Sequence, residues 1–166
     1  MLTLKPVSLT DGKAVYDMLQ QIEANDNGFM NGVKNLPYEE FPAHIAKKVN
    51  MAQGIGLEDW MVPSSTFWLM DGDTPIGQGN LRHRLTNALR ESGGHIGYAI
   101  AKPYRGKGYG KELLRLLIAQ ARTMGITENL LVTVWLNNIP SRRTVEACGG
   151  ILVKENDERA FYEFPA

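Results

Sequence analysis

The densest chemistry in this chain lies in one short run, Arg105-Gly106-Lys107-Gly108-Tyr109-Gly110. Three glycines at alternate positions let the backbone turn until successive N–H groups point into one concavity. A helix predicted over Gly108–Met124 adds unpaired donors and partial positive charge at its start. Arg105, Lys107 and Lys111 add cationic screening. Together these features make a phosphate cradle; the plainer reading is a glycine-rich turn that only joins strand to helix. Spacing excludes two familiar loops. A Walker A loop needs Gly-Lys-Ser/Thr, but Gly110-Lys111 is followed by Glu112, and a dinucleotide fingerprint needs glycine where Lys111 stands. What fits is Arg/Gln-x-x-Gly-x-Gly/Ala at a strand-to-helix turn.

His83 and His95 are the next candidates, because imidazole exchanges protons near neutrality. If the polar stretch Thr86–Ser92 closes a hairpin centred near residue 89, the two fall opposite each other on adjacent strands. No third ligand accompanies them, so no metal site is assigned. For either, the alternative is a strand histidine bonded to its neighbours. Cys148, beside Gly149, reads as a small buried helix residue without a nucleophilic role. Asp26, Glu39, Glu40, Glu58 and Asp59 fall in loops where they could attract a cationic amine, or simply be solvated. Arg82 and Arg84 alternate with His83 and so share a strand face, suited to a carboxylate or phosphate or to pairing with acids. Trp60, Phe67 and Trp68 read as core.

The elements that must position these groups follow from periodicity. Met1–Val7 alternates as a strand, and Thr10–Glu23 has helical spacing at Val15, Met18, Leu19 and Ile22 with Thr10 or Asp11 as cap. Asn25–Pro42 is loop-like, and a second helix is predicted over Phe41–Asn50. Ser65–Met70, Pro75–Leu85 and Gly93–Ala101 read as strands, with Asp71-Gly72-Asp73 a turn. The long helix carries an apolar face at Leu113, Leu114, Leu117, Ile118 and Ala121. Then come a buried strand at Asn129–Leu136, a short helix at Pro140–Cys148 stopped by Gly149-Gly150, and strands at Ile151–Val153 and Ala160–Phe164. The pattern predicts one α/β domain spanning residues 1–166, with a mixed sheet.

Composition narrows the class. The 166 residues are 43% hydrophobic and 22% charged, as in an ordinary globular domain, with 18 basic and 18 acidic side chains. Zero net charge disfavours a nucleic-acid partner. The longest uncharged apolar stretch, Trp60–Met70, is broken by Pro63, Ser64, Ser65 and Thr66 and cannot span a bilayer, so no membrane partner is expected. No apolar segment of a secretory signal is visible before Lys5 and Asp11, and the single Cys fits a reducing cytoplasm.

The glycine run and its surroundings resemble the GNAT superfamily of acyl-CoA-dependent N-acetyltransferases. Gly93-Gly94-His95-Ile96-Gly97-Tyr98-Ala99-Ile100 is similar to that family's fourth strand, Pro103-Tyr104-Arg105 to the lead into its loop, and Asn138-Ile139-Pro140-Ser141 to the opening of its fourth helix. Pro63–Leu69, Leu81–Leu85 and Gly149-Gly150 resemble a bacterial branch of predicted acetyltransferases. The likeness is strong from Ser65 onward and weak before it.

The resemblance implies a GNAT-like sheet splayed between its fourth and fifth strands, here Gly93–Ala101 and Asn129–Leu136. Acetyl-CoA is the implied co-substrate, with no metal. Its pyrophosphate would rest on the amides of Arg105, Gly106, Lys107, Gly108, Tyr109 and Gly110, and its pantetheine arm would pair with backbone at Ala99, Ile100 and Ala101. Asn138 and Ser141 match positions facing the pantetheine or thioester; as plain residues they would be a cap and a first-turn serine. His95 stands where relatives often carry a Glu base, with His83 beside it as the other candidate. Val145 stands where many carry a Tyr acid, leaving Tyr98 and Tyr162 as substitutes. The implied activity is direct acetyl transfer to an amine of a small molecule or peptide. A non-catalytic acyl-CoA sensor is the alternative, and a homodimer is allowed.

Overall fold

β-branched and aromatic residues make up half or more of the pairing runs Ile96–Ile100, Leu130–Trp135 and Arg159–Phe164. A computed structural model describes residues 1–166. β1 (Leu2–Pro6) leads into α1 (Lys13–Leu19), a two-strand hairpin β2 (Asn25–Asp26) and β3 (Phe29–Met30), and α2 (Phe41–Ala52). Next come β4 (Ser64–Asp71), β5 (Thr74–Arg82), α3 (Asn87–Ser92), β6 (Ile96–Ile100) and α4 (Tyr109–Thr123). β7 (Leu130–Trp135), α5 (Ile139–Ala147), β8 (Ile151–Glu155) and β9 (Arg159–Phe164) complete the chain.

Apart from the β2–β3 hairpin, the strands form two sheets, ordered β1-β4-β5-β6 and β7-β9-β8, in which every ladder is antiparallel. Between β6 and β7 there is no ladder, only an isolated bridge from Gly94 to Val132. The mixed pairing expected of one continuous sheet is therefore absent as a ladder, and the gap falls where the splay was expected.

One core joins the two sheets, and a second packs against the first sheet alone. α4 places Leu113, Leu114, Leu117 and Ala121 against Leu81, Ile96 and Ile100 on one side and Val132, Val134 and Tyr162 on the other. Gly79 makes this close approach feasible, since a Cβ there would lie 2.7 Å from Leu117. On the opposite face, α1 and α2 pack Met18, Leu19, Phe41 and Ile45 against Trp68, Ala99 and Ala101. One apolar layer thus spans the gap on the α4 face, while the other face opens there.

Three elements depart from the sequence reading. The first helix is shorter than Thr10–Glu23 and starts after Gly12 without a side-chain cap. Asp11 instead accepts from Trp68 Nε1 and Ser8 N–H, both at 2.8 Å, and so ties the helix start to β4. Within the expected loop 25–42, Asn27 and Gly28 both adopt positive φ, which closes β2 and β3 into a two-residue hairpin. The polar connection 86–92 folds into α3, capped by Thr86 Oγ1 accepting from Leu89 N–H.

Candidate active site

Glycine builds the turn after β6. Gly106 and Gly108 have φ of +78° and +81°, and a Cβ placed on either meets nothing within 4 Å. The concavity is therefore open, and its backbone conformation is one that other residues rarely adopt. Gly108 caps α4 without a side-chain partner, and α4's first backbone acceptor is Gly108 O, bonded to Glu112 N–H. Residues 106–111 donate no backbone N–H to a protein acceptor. Such a row of unpaired amides at a helix start fits a pyrophosphate. The cradle is offset by one from the expected set, since Arg105 N–H donates to Lys102 O. The Arg105 side chain also does not screen the loop: it pairs with Asp26 at 2.6 Å and donates to Ile100 O at 2.9 Å.

Pairing decides which edge of β6 is free. His95 O accepts from Arg82 N–H, Ala99 lies opposite Gln78, and Ala101 N–H donates to Ile76 O. Bonded pairs alternate along an antiparallel ladder, so Gly97, Ala99 and Ala101 direct their backbone groups to β5. Ile96, Tyr98 and Ile100 direct theirs toward β7. This corrects the expectation that Ala99–Ala101 offers free backbone: only Ile100 of the three faces the gap, and Arg105 already occupies its carbonyl. Tyr98, like Ile96 before it, has both groups turned to the splay.

At the other end, His95 fastens the two sheets. It is 1% exposed, and its Nδ1 accepts the Leu131 N–H at 2.9 Å while the His95 backbone N–H donates to Leu131 O at 2.7 Å. Accepting at Nδ1 assigns the proton to Nε2, which lies 3.1 Å from Glu128 Oε1, close but poorly aligned for a hydrogen bond. Arg122 holds the Ile126 and Glu128 carbonyls at 2.8 Å each, and Arg90 pairs with Glu128 at 2.7 Å. Burial lowers the His95 pKa, opposed by Glu128. Glu128 is itself held below its ordinary range: burial raises it, but His95 and Arg90 together prevail.

Between this fastening and the glycine turn lies a cleft of about 630 Å³. Ile96–Tyr98 form one wall and Val132–Trp135 the other, with the β2–β3 hairpin, the end of α2 and Trp60–Val62 around the rim. Gly28 lets the hairpin sit on the Trp135 indole, which a Cβ would meet at 3.2 Å. Together with the Asp26–Arg105 pair, that contact makes the hairpin a strap from the glycine turn to β7.

A family model of the GNAT acetyltransferase domain matches residues 1–151. The chain belongs to the GNAT acetyltransferases. Members of this family move an acetyl group from acetyl-CoA to an amine. Among solved structures, it is similar to the ribosomal L7/L12 α-N-protein acetyltransferase RimL in complex with coenzyme A (TM-score 0.74, 12% identity, 99% of this chain and 93% of that one). It is also similar to the microcin C7 self-immunity acetyltransferase MccE in complex with acetyl-CoA and AMP (0.72, 15%, 99% and 92%). A third is the ribosomal-protein-S5-alanine acetyltransferase from Vibrio fischeri (0.72, 13%, 99% and 92%). At these identities the likeness establishes the fold. No curated protein sequence matches significantly.

Within this GNAT domain the two histidines take positions other than those expected. α3 shifts the β5–β6 register, so Arg82 rather than His83 lies opposite His95. His83 bonds Ser65 Oγ at 2.7 Å and faces a separate small cavity beside residues 124–128, so it is corrected out of the catalytic set. The base expected at His95 is corrected too. His95 borders the cleft, but its acceptor nitrogen is filled by a backbone amide and the other carries a proton toward Glu128.

Asn138 and Ser141 both line the cleft, and Asn138 also caps α5, its Oδ1 accepting from Ser141 N–H at 3.4 Å. Tyr98 OH lies 3.4 Å from Ser141 Oγ, and burial raises the phenol's pKa, partly offset by Ser141. Tyr162 is engaged elsewhere, donating to Glu146 at 2.6 Å and accepting from Arg142 Nε at 3.0 Å. Val145 is fully buried in the core, and Cys148 sits under α4 with its Sγ 3.5 Å from Lys111 O and its thiol pKa raised by burial.

The acceptor-side expectations are mostly redistributed. Glu58 holds the Trp60 indole at 2.6 Å, and Trp60 is 58% exposed rather than core. Arg84 lies past the end of β5, so it does not share a strand face with Arg82. Arg82 lines the cleft and donates to Gly94 O at 2.8 Å. Lys48 and Arg159, unnoticed in the sequence, also line it. Nothing in their local pattern separates them from solvated charges. No His, Cys, Asp or Glu side chains cluster as a metal site, and no helix is long and apolar enough to cross a membrane.

Proposed function

We propose that this acetyltransferase transfers acetyl directly to a primary amine of a small molecule or peptide in the β6–β7 cleft. The row of unpaired amides at residues 106–111, beside that splay, carries the reading. Gly106, Lys107, Gly108, Tyr109, Gly110 and Lys111 bind the pyrophosphate, and the Tyr98 backbone edge receives the pantetheine arm. Bound acetyl-CoA supplies the activated acetyl thioester. Asn138 and Ser141 orient its reactive end, and the neutral Tyr98 phenol donates a proton to the departing sulfur. The cleft's only carboxylate, Asp26, is paired with Arg105, and its only imidazole is His95. The amine therefore enters in its neutral fraction, and positioning of the two reactants provides the acceleration. RimL is named for α-N-protein acetylation and the S5 acetyltransferase for an alanine of a ribosomal protein, which supports a peptide-like amine as the first acceptor to test. The lone thiol fits a cytoplasmic setting.

The test is thiol release from acetyl-CoA across an amine panel, with Tyr98→Phe alongside. Losing the acid should lower kcat by roughly 10²–10⁴-fold while CoA affinity persists. Wild-type kcat in that variant would remove Tyr98 from the mechanism. Tight acetyl-CoA binding without release to any amine would return the sensor reading.

A further inference from the structure

The cleft concentrates positive charge in a chain whose net charge is zero. Three cations line it, Lys48 from α2, Arg82 from β5 and Arg159 from β9. None has a carboxylate within ion-pair distance, whereas most other arginines in the protein do. Asp26 is the one acidic residue on the lining, and Arg105 already neutralises it. Arg82 spends one N–H on Gly94 O, and Arg159 makes a single 3.3 Å contact to Thr133 Oγ1. Their remaining donors have no protein carboxylate to meet.

The three arrive from separate elements, so no shared helix or strand pattern forces them together. Each is partly buried. Burial lowers the pKa of both Lys48, aided by Lys47, and Arg82, which is the cost of holding these charges away from water without a counter-charge. Around them the wall is neutral and polar, with Ser64, Thr66, Asn80 and Asn25. A cleft of this size suits a small molecule. An ordinary alkylamine, cationic before it reacts, gains nothing from such a lining.

We propose that Lys48, Arg82 and Arg159 form an anion subsite, and that the acceptor is a small amine bearing its own carboxylate or phosphate. The subsite rests on the acetyltransferase reading and sharpens it. It holds the anionic group electrostatically, draws the amine in against like-charge repulsion, and leaves the amine free to face Tyr98 and Ser141.

Thiol release is measured for paired acceptors, β-alanine against propylamine, phenylalanine against phenethylamine, and O-phosphoethanolamine against ethanolamine. The carboxylate and phosphate pairs separate the two anion sources. The anionic member should have the higher kcat/KM, and that preference should fall about 10- to 100-fold in Lys48→Gln or Arg159→Gln, the worth of one charge-assisted hydrogen bond. Arg82→Gln should act likewise, but because Arg82 also holds Gly94 the other two variants decide if it fails to fold. Equal use of neutral and anionic amines, or a preference unmoved by the variants, overturns the subsite.

A second arm does not depend on turnover. Inorganic phosphate is titrated into CoA-saturated protein, whose glycine turn is already filled, and followed by NMR. Binding weakened about tenfold or more in Lys48→Gln and Arg159→Gln supports the subsite even if no amine is acetylated, in which case only the transfer reading fails. No phosphate binding, or binding indifferent to both substitutions, refutes it.

Discussion

Replacing His95 by alanine removes the acceptor of the buried Leu131 N–H and leaves Glu128 without its imidazole neighbour. Glu128 keeps Arg90 and stays partly solvated, so its loss is small. The orphaned amide sets the magnitude, about 1–3 kcal/mol. For a domain of this length each kcal/mol moves Tm by roughly 2–4 °C, so a fall of about 2–12 °C is expected. His95→Asn separates structure from chemistry. Its side-chain carbonyl can take the Leu131 N–H as Nδ1 does, yet it cannot accept a proton as a base. Calorimetry on the three proteins, with thiol release assayed far below every Tm, should give a depressed Tm in His95→Ala, a largely restored one in His95→Asn, and near-wild-type kcat in His95→Asn. The rate should also climb with pH toward the acceptor's own pKa, without an imidazole step near 6.5. A roughly 10²–10⁴-fold loss of kcat in both variants with Tm unmoved would refute the fastening and restore His95 as the base.

Two further outcomes follow from the same geometry. Gly108→Val forces a β-branched residue into φ of +81° and fills the open cradle, so CoA affinity measured calorimetrically should drop at least tenfold; unchanged affinity in a folded variant would remove the loop from the binding site. His44 should make the fold acid-labile: burial foremost, with Lys48 and Lys47, lowers its pKa to about 4, against about 6.5 unfolded, so the unfolded state binds the extra proton first. Its contribution is complete above pH 6.5 and is lost as pH falls toward 4, so His44→Gln should flatten the fall of Tm across that window, and parallel wild-type and variant curves would contradict it.

What could be read from the chain was what glycine and periodicity encode locally. The positive φ values at Gly106 and Gly108 and the apolar stripe of α4 depend on neighbours a few residues away, so the glycine turn and its helix are legible in the chain. The Asn27-Gly28 hairpin carries an equally local signal, a two-residue turn with both residues at positive φ, within a stretch whose composition is that of a loop. Roles set by pairing were a different matter. Whether Ala99 or Tyr98 turns its backbone to the gap depends on register by one residue, and that register was set by α3, a helix hidden in a polar connection.

The histidines show why residue type alone misassigns chemistry. An imidazole at the head of β6 looks like a base because its unperturbed pKa suits one. A base needs an accessible lone pair, and accessibility is a property of the partner strand. The peptide N–H of Leu131 meets His95 because β7, paired with β9, lies beside the head of β6, where Arg122 holds the Ile126 and Glu128 carbonyls. The same docking that fills the nitrogen also opens the splay beyond it, since a side chain has taken the place of a backbone ladder bond. In three dimensions His95 pins β6 to β7 with both ring nitrogens engaged, and beyond that pin the Tyr98 backbone edge is left unpaired.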